Sequence, residues 1–190
     1  MDKTRCNWPK KPLDIEYHDK EWGVPLHDDK KLFEFLVLES FQAGLSWSTI
    51  LNKRENFRKA FDDFNYQKIA NYDQQKIDDL LQDAGIIRNK LKISATITNA
   101  NVFMKIQNEF GSFDKYIWSF TGGKTITNSW TELKDIPATS KESDAMSKDL
   151  KKRGFKFVGS TICYAKMQAT GMVNDHVISC YRYKEVGNDK

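Results

Sequence analysis

The chain reads as an all-α protein, and three features of its 190 residues lead there. Apolar side chains recur at helical spacing along most of its length. Capping residues stand where those patterns begin, and strictly alternating apolar and polar runs are sparse.

The elements follow in order. Residues 30–42 (KKLFEFLVLESFQ) set Leu32, Phe33, Leu36, Val37 and Phe41 at helical spacing, with Asp28 and Asp29 suited to the N-terminal cap. Gly44 stops that helix, and Ser46 can cap the next, through about Phe61. Asp73 caps a short helix with Ile77, Leu80 and Leu81 on its apolar face, ending at Gly85. Residues 89–109 read as a long helix carrying Ile93, Ile97, Ala100, Phe103 and Met104 inward, and 112–120 as a short aromatic one. Residues 121–139, with Gly122-Gly123 and Pro137, form the one long irregular stretch, a candidate lobe linker or surface excursion. Thr139-x-x-Glu142 has the form of a capping box and opens a helix to about Arg153.

Composition narrows the function classes. With 39% hydrophobic and 13% aromatic residues the chain can bury a sizeable core and is folded. No apolar run reaches 18 residues and the N-terminus has no signal-like apolar region, so a membrane-spanning or secreted protein is not expected. Three cysteines cannot all pair, which fits a reducing cytoplasm. Net charge is only +4, but between Lys151 and Lys184 seven Lys or Arg face a single acid, Asp175. Such a patch suits a polyanion; a solvated basic face is the competing explanation.

Four metal-capable side chains stand at the two ends of the chain: Cys6 and His18, then His176 and Cys180. Two Cys and two His make a tetrahedral zinc set, and the His176-x3-Cys180 spacing would put both on one face of a helical turn. Against this, Cys6-x11-His18 is a loose pair, and the bland alternative is unrelated cysteines and histidines. Four protein donors would close the coordination, so such an ion would be structural. Cys163, in an apolar helical stretch, reads as a small hydrophobe, and His27 is left over.

In residues 148–183 a basic helix ends at Gly154, a short connection runs to Gly159, and Ser160 caps a second helix through about Thr170. A helix pair joined through glycines can aim backbone N–H groups and a positive helix terminus at phosphates. Lys151, Lys152, Arg153, Lys156 and Lys166 add attraction independent of sequence. Any helical hairpin can have glycines at its turn, so the pattern alone leaves DNA binding open.

This segment resembles the helix-hairpin-helix DNA glycosylases, and from Arg5 to Tyr183 the chain is similar to the 3-methyladenine DNA glycosylase I family of bacteria. The resemblance rests on Arg5-Cys6, Tyr17-His18-Asp19, Glu21-Trp22-Gly23-Val24-Pro25, Leu38-Glu39, Gln42-Ala43-Gly44-Leu45-Ser46-Trp47, Asp83-Ala84-Gly85-Ile86-Ile87-Arg88, the run from Lys151 to Cys163, and Val173-Asn174-Asp175-His176. It implies a helix-hairpin-helix glycosylase fold in one unit over 1–190, with the hairpin element at about 141–171. It also implies a structural zinc held by Cys6, His18, His176 and Cys180, tying the two ends together. The partner would be double-stranded DNA containing alkylated adenine, met by a cytoplasmic, nucleoid-associated monomer.

A glycosylase must take its base out of the stack and cut the bond to the sugar. The lesion, 3-methyladenine, is a cation and already an activated leaving group, so recognition can use an aromatic face and a negative charge. Trp47 is the expected face. Glu39 is the expected charge, a base-binding and catalytic candidate that accepts from the exocyclic amine. Tyr17 could add a hydroxyl or a second wall. Without the family, Trp47 would read as core, and an outward Glu39 as ordinary helix surface. An inward Glu39 would have to be functional or ion-paired, because an unpaired buried carboxylate is costly. Leu45 is the expected wedge into the duplex, and Gly154, Lys156, Gly159, Ser160, Thr161 and Lys166 the expected DNA contacts.

Many superfamily members carry an Asp after the hairpin where Asn174 stands here, with Asp175 next door. A neutral amide cannot stabilise a developing oxocarbenium ion, which agrees with a cationic leaving group. It leaves Glu39, Asp175 and the DNA phosphates as candidates to activate water. No Lys occupies the hairpin position of lyase-type members; Ser160 and Thr161 lie there, so a monofunctional enzyme is expected. A zinc hydrolase would need an open coordination position. A non-enzymatic, zinc-containing duplex-binding module would leave Tyr17, Glu39 and Trp47 unexplained.

Overall fold

The structure, a computed structural model, describes residues 3–186. Residues 1–2 and 187–190 of the expected single unit lie outside the described residues. Among the described residues there are ten α-helices: α1 (Pro12–Lys20), α2 (Asp29–Gln42), α3 (Trp47–Ala60), α4 (Tyr66–Ile69), α5 (Gln74–Gln82), α6 (Lys90–Phe110), α7 (Phe113–Trp118), α8 (Lys141–Arg153), α9 (Ser160–Ala169) and α10 (Tyr181–Val186). None of the described helices is long and apolar enough to cross a membrane.

Helix α2 is the axis of the molecule. From Leu32 to Phe41 every side chain is buried, because α3, α6, α7 and α9 pack around it on all sides. A helix enclosed in this way has no solvent face. The polar groups within that stretch, Glu34, Glu39 and Ser40, are therefore forced inside. Its start is capped by Asp28, whose side chain accepts from the Lys31 N–H. Around it Phe33, Phe41, Phe57, Phe61, Phe64, Phe103 and Phe113 are wholly buried. Most of their close ring pairs are edge-on or tilted, the arrangement the ring quadrupole favours.

Ser46 and Asp73 cap α3 and α5 as their sequence positions suggest, and Asn89, read as the first residue of its helix, is the N-cap of α6. Several expectations need correction. Helix α8 is capped by Ser140, not Thr139, and its capping box is completed by Ser143 in place of Glu142. Gly159, not Ser160, is the N-cap of α9; the Ser160 hydroxyl instead bonds Asp144 and Ser143 across the hairpin. Helix α1 has no forerunner in the apolar pattern, because the residues it buries are Asp14, Tyr17 and His18.

Residues 121–139 are no linker, but they do run over the surface, each of them exposed or partly so. Strand β1 (Ile126–Thr127) pairs in parallel with β2 (Val173–Asn174), and the chain beyond it folds over the ends of α1 and α9. Nor do His176 and Cys180 share a helical turn. They flank a tight turn in which the Cys180 N–H bonds the Val177 carbonyl, and α10 starts only at Tyr181.

Gly171 makes the crossing between α9 and β2 possible. At φ +71 it lies against the Val24–Pro25 backbone, where an added Cβ would stand 2.3 Å from Pro25 N.

Candidate active site and metal cluster

A cavity of about 370 Å³ opens between α1, α2, α3, α9 and the 133–138 segment. Helix α2 supplies Glu39 and Gln42 to it, α1 supplies Tyr17, and α3 supplies Trp47 from its first position. The 133–138 segment closes one side with Leu133, Ile136 and Pro137, and α9 lines another with Thr161, Tyr164 and Gln168. Trp8 and Trp22 complete an aromatic wall. Trp47 stacks on Phe35 at 6.4 Å between ring centroids and tilts against Tyr17 at 5.3 Å; Trp8 meets Trp22 edge-on at 5.3 Å.

The polar atoms of this cavity are poorly served by the protein itself. Glu39 Oε2, Trp47 Nε1 and Trp8 Nε1 are all buried without a hydrogen-bond partner among the described residues. Unsatisfied buried groups are rare and costly, so three around one aromatic-walled space mark a binding site for a flat polar ring. Glu39 is only 4% exposed, and burial pushes its carboxyl up to about 8 against the opposing pull of Lys166. Its inward orientation is the costly alternative of the two that the sequence leaves open.

Asp175, a candidate to activate water, is fully engaged elsewhere. Its Oδ1 accepts from Asn128 Nδ2 and Trp130 Nε1, both at 2.7 Å, and its Oδ2 from the Tyr164 hydroxyl at 2.7 Å and Gln168 Nε2 at 2.8 Å. It thus fastens the 121–139 segment to α9 and holds two cavity-lining residues in place. Asn174 is equally occupied, donating to the Tyr183 carbonyl and accepting from the His176 N–H.

The hairpin between α8 and α9 is held from below. Asn99 on α6 accepts from the Lys156 N–H at 2.8 Å and donates to the Lys156 carbonyl at 3.0 Å, and Ser147 bonds the Val158 carbonyl. Gly154, at φ +103, ends α8 in the left-handed conformation. Lys151, Lys152, Lys156 and Thr161 are exposed around it, and no neighbour would touch a Cβ at Gly159. Leu45, 40% exposed, projects from the loop between α2 and α3. Two cations do not stand where the basic run suggests. Arg153 is bound by Asp149 and Glu109. Lys166 is 3% exposed beneath the cavity and cannot reach a phosphate; its place on the inward face of α9 buries it.

The four Cys and His residues from the two ends meet. The ligand atoms of Cys6, His18, His176 and Cys180 lie within 4.8 Å of one another, all buried. Cys180 Sγ is 3.5 Å from both His18 Nε2 and His176 Nδ1, and Cys6 Sγ is 3.7 Å from His176 Nδ1. The sulfur–nitrogen edges of a tetrahedron with zinc bond lengths are about 3.6 Å. Both imidazoles are oriented from behind: His18 Nδ1 donates to Asp19 at 2.8 Å and His176 Nε2 to the Trp22 carbonyl at 3.0 Å, leaving the lone pairs toward the centre. Asp19 is itself held well below the usual carboxylate range, first by the Arg5 guanidinium. The donor set fits a tetrahedral metal ion.

Cluster and cavity are contiguous. Cys6, Cys180, Tyr17, Trp22 and Phe35 belong to one apolar group, so the cluster backs the aromatic wall. Trp8, Tyr164, Gln168 and the 133–138 segment escape sequence reasoning, because nothing local marks which helix face or loop becomes a cavity wall, and Gln42 stands in a quoted motif without a role assigned to it. Trp22 stands in a motif but carries no titratable group to draw attention.

Comparison with known proteins agrees with this geometry. The methyladenine glycosylase family model matches residues 7–183. DNA-3-methyladenine glycosylase 1 of Escherichia coli is 51% identical over 180 residues, covering 94% of this chain and 96% of that protein. A crystal structure of 3-methyladenine DNA glycosylase I superposes with a TM-score of 0.92 at 49% identity, covering 94% of this chain and 98% of the other. A tyrosine-to-phenylalanine variant of such an enzyme, solved in complex with 3-methyladenine, superposes at 0.89 with 36% identity and 95% coverage of both chains.

Proposed function

The chain belongs to the methyladenine glycosylase family, and from that premise we propose that it hydrolyses the N-glycosidic bond of 3-methyladenine in alkylated double-stranded DNA. The observation that carries the reading is Glu39: a buried carboxyl that lines the aromatic-walled cavity, its Oε2 without a hydrogen-bond partner among the described residues. Such a group is costly in an empty pocket and useful in one that receives a cation.

The duplex meets the helix-hairpin-helix element formed by α8, its connection and α9, through Gly154, Lys156, Gly159, Ser160 and Thr161. Leu45 enters the gap as the damaged nucleotide turns out of the stack. Lys166 is withdrawn from this set because it is buried. The extruded purine lies on the Trp47 face with Tyr17 as a second wall, and Glu39 accepts from its exocyclic amine. An incoming cation lowers the cost of ionising Glu39, and the carboxylate then complements the charge on the ring. As the bond from C1′ to the base breaks, its electron pair neutralises the purine, which departs without needing a proton. Water adds to C1′ and loses its proton. Because both oxygens of Asp175 are taken, Glu39 and the DNA phosphates remain to receive that proton. Ser160 and Thr161, and no lysine, stand at the hairpin position of lyase-type members, which supports a monofunctional reaction.

Cys6, His18, His176 and Cys180 would hold zinc. With all four positions taken by protein, the ion would supply closure of the N-terminal segment onto the C-terminal one, and no chemistry. The unit extends at least through residues 3–186 and acts as a monomer.

Purified, metal-replete protein incubated with methylated DNA should release 3-methyladenine; absence of release refutes the proposal. Glu39→Gln should slow release by about a hundredfold or more while leaving affinity for undamaged duplex unchanged.

A further inference from the structure

Beneath the cavity lies a second buried charge that the reaction has not yet used. Lys166 reaches inward from α9; its Nζ has no hydrogen-bond partner among the described residues and stands 4.6 Å from the centroid of the Phe113 ring. Glu39 and Lys166 line one small cavity, about the size of a water molecule, together with Ser40 and Cys163. An ammonium and a carboxylate each unserved in a dry interior are costly alone, and together each lowers the other's cost.

The other charged groups around α2 are committed. Arg54 from α3 binds Glu21 and Glu34, and Asp29 caps α7 by accepting from the Phe113 and Asp114 N–H groups. Lys92 from α6 donates to the carbonyls of Phe41 and Ala43, and Asp114 pairs with His27. Tyr17 on α1 and Cys163 on α9 also face the pair. Burial pushes the Tyr17 hydroxyl well up, as does the Glu39 charge, and burial pushes Cys163 up to about 11, so neither carries charge at neutral pH.

We propose that Lys166 is a positioning residue for base recognition: across the small cavity, its ammonium is the counter-charge that lets Glu39 ionise when a cationic purine enters. This rests on the glycosylase reading and names how the same pocket acquires its charge. Burial pushes Glu39 up to about 8, resisted by Lys166, and pushes Lys166 down to about 8, resisted by Cys163 first and then by Glu39 and Asp29. Near neutrality both groups therefore hold their protons for the most part, Lys166 charged and Glu39 neutral, with ionisation of Glu39 about one unit away. The base cation adds the third charge that tips it, and the Glu39 proton leaves to solvent.

Two measurements test this. The pH profile of 3-methyladenine release should show an acid limb set by Glu39. Lys166→Met should move that limb to higher pH by a unit or more, a loss of about tenfold at pH 7, and Lys166→Arg should restore it. A folded Lys166→Met protein with an unmoved limb overturns the proposal. Independently of whether that variant folds, NMR titration of the lysine side chains should find the Lys166 midpoint lower in Glu39→Gln than in the parent; an equal midpoint also overturns it. If the parent protein releases no base, the glycosylase reading fails instead, and the NMR titration alone decides whether the two groups are coupled.

Discussion

Glu39 illustrates how one residue can serve function at the expense of stability. Its carboxyl titrates near 8 in the folded chain against an ordinary value of 4.5, so the folded state prefers it protonated. The stability that goes with the protonated form is fully present below about 4.5 and is lost as pH rises through about 8. Glu39→Gln should therefore melt at nearly the same temperature as the parent near pH 4.5 and be more stable at pH 9, by about 5 kcal/mol. A parallel pair of melting curves against pH checks this, and a variant less stable than the parent at pH 9 contradicts it. The sequence already poses the question at this residue, since Glu39 interrupts an apolar run. It does not answer it, because whether α2 has a solvent face depends on which helices surround it.

At the scale of elements, the most demanding local geometry is the crossing of Gly171 over the Val24–Pro25 backbone, which brings β2 and the turn bearing His176 and Cys180 to the N-terminal segment. Both the positive φ and the 2.3 Å approach forbid a side chain. Gly171→Ala should destabilise by about 4 kcal/mol or more, measured by chemical denaturation; a loss under about 1 kcal/mol would mean the crossing is not needed. The hairpin between α8 and α9 is a second such element, fastened by Asn99 and left with exposed lysines. Lys156→Ala should weaken duplex binding alike for damaged and undamaged DNA. It should also reduce the slope of log affinity against log salt by about 0.9 if Lys156 meets one phosphate. An unchanged slope removes Lys156 from the interface. The capping signals at Ser46 and Asp73 are local and legible; the one-residue displacements at Ser140 and Gly159 arise because Ser143, Asp144 and Ser160 satisfy one another across the hairpin.

For the whole molecule, the Cys and His cluster joins residues 6 and 180 and stands behind the aromatic wall of the cavity. Metal removal by a chelator should lower stability by on the order of 4 kcal/mol, the scale expected for a ligand present at a thousandfold its dissociation constant. Cys180→Ser should lose metal and stability together, followed by elemental analysis and thermal melting; normal melting in that variant argues against a structural ion. Asp175 acts at the same scale, drawing the 121–139 segment, α9 and the post-β2 turn together through four hydrogen bonds.

What could be read from the linear chain was local or pairwise in kind: helical class, cap positions, the glycines of the hairpin, and four residues with the chemistry of a zinc set. Helical periodicity and capping are properties of neighbouring residues, so they survive without coordinates. Only the folded arrangement decided that α2 is enclosed on every side, that Lys166 points inward under Glu39 and away from phosphate, that Asp175 is a tether, and that residues 133–138 wall the pocket. Those are facts about which distant segments meet. Burial, and with it the ionisation of Glu39 and Lys166, follows from the whole packing and from no stretch of sequence alone.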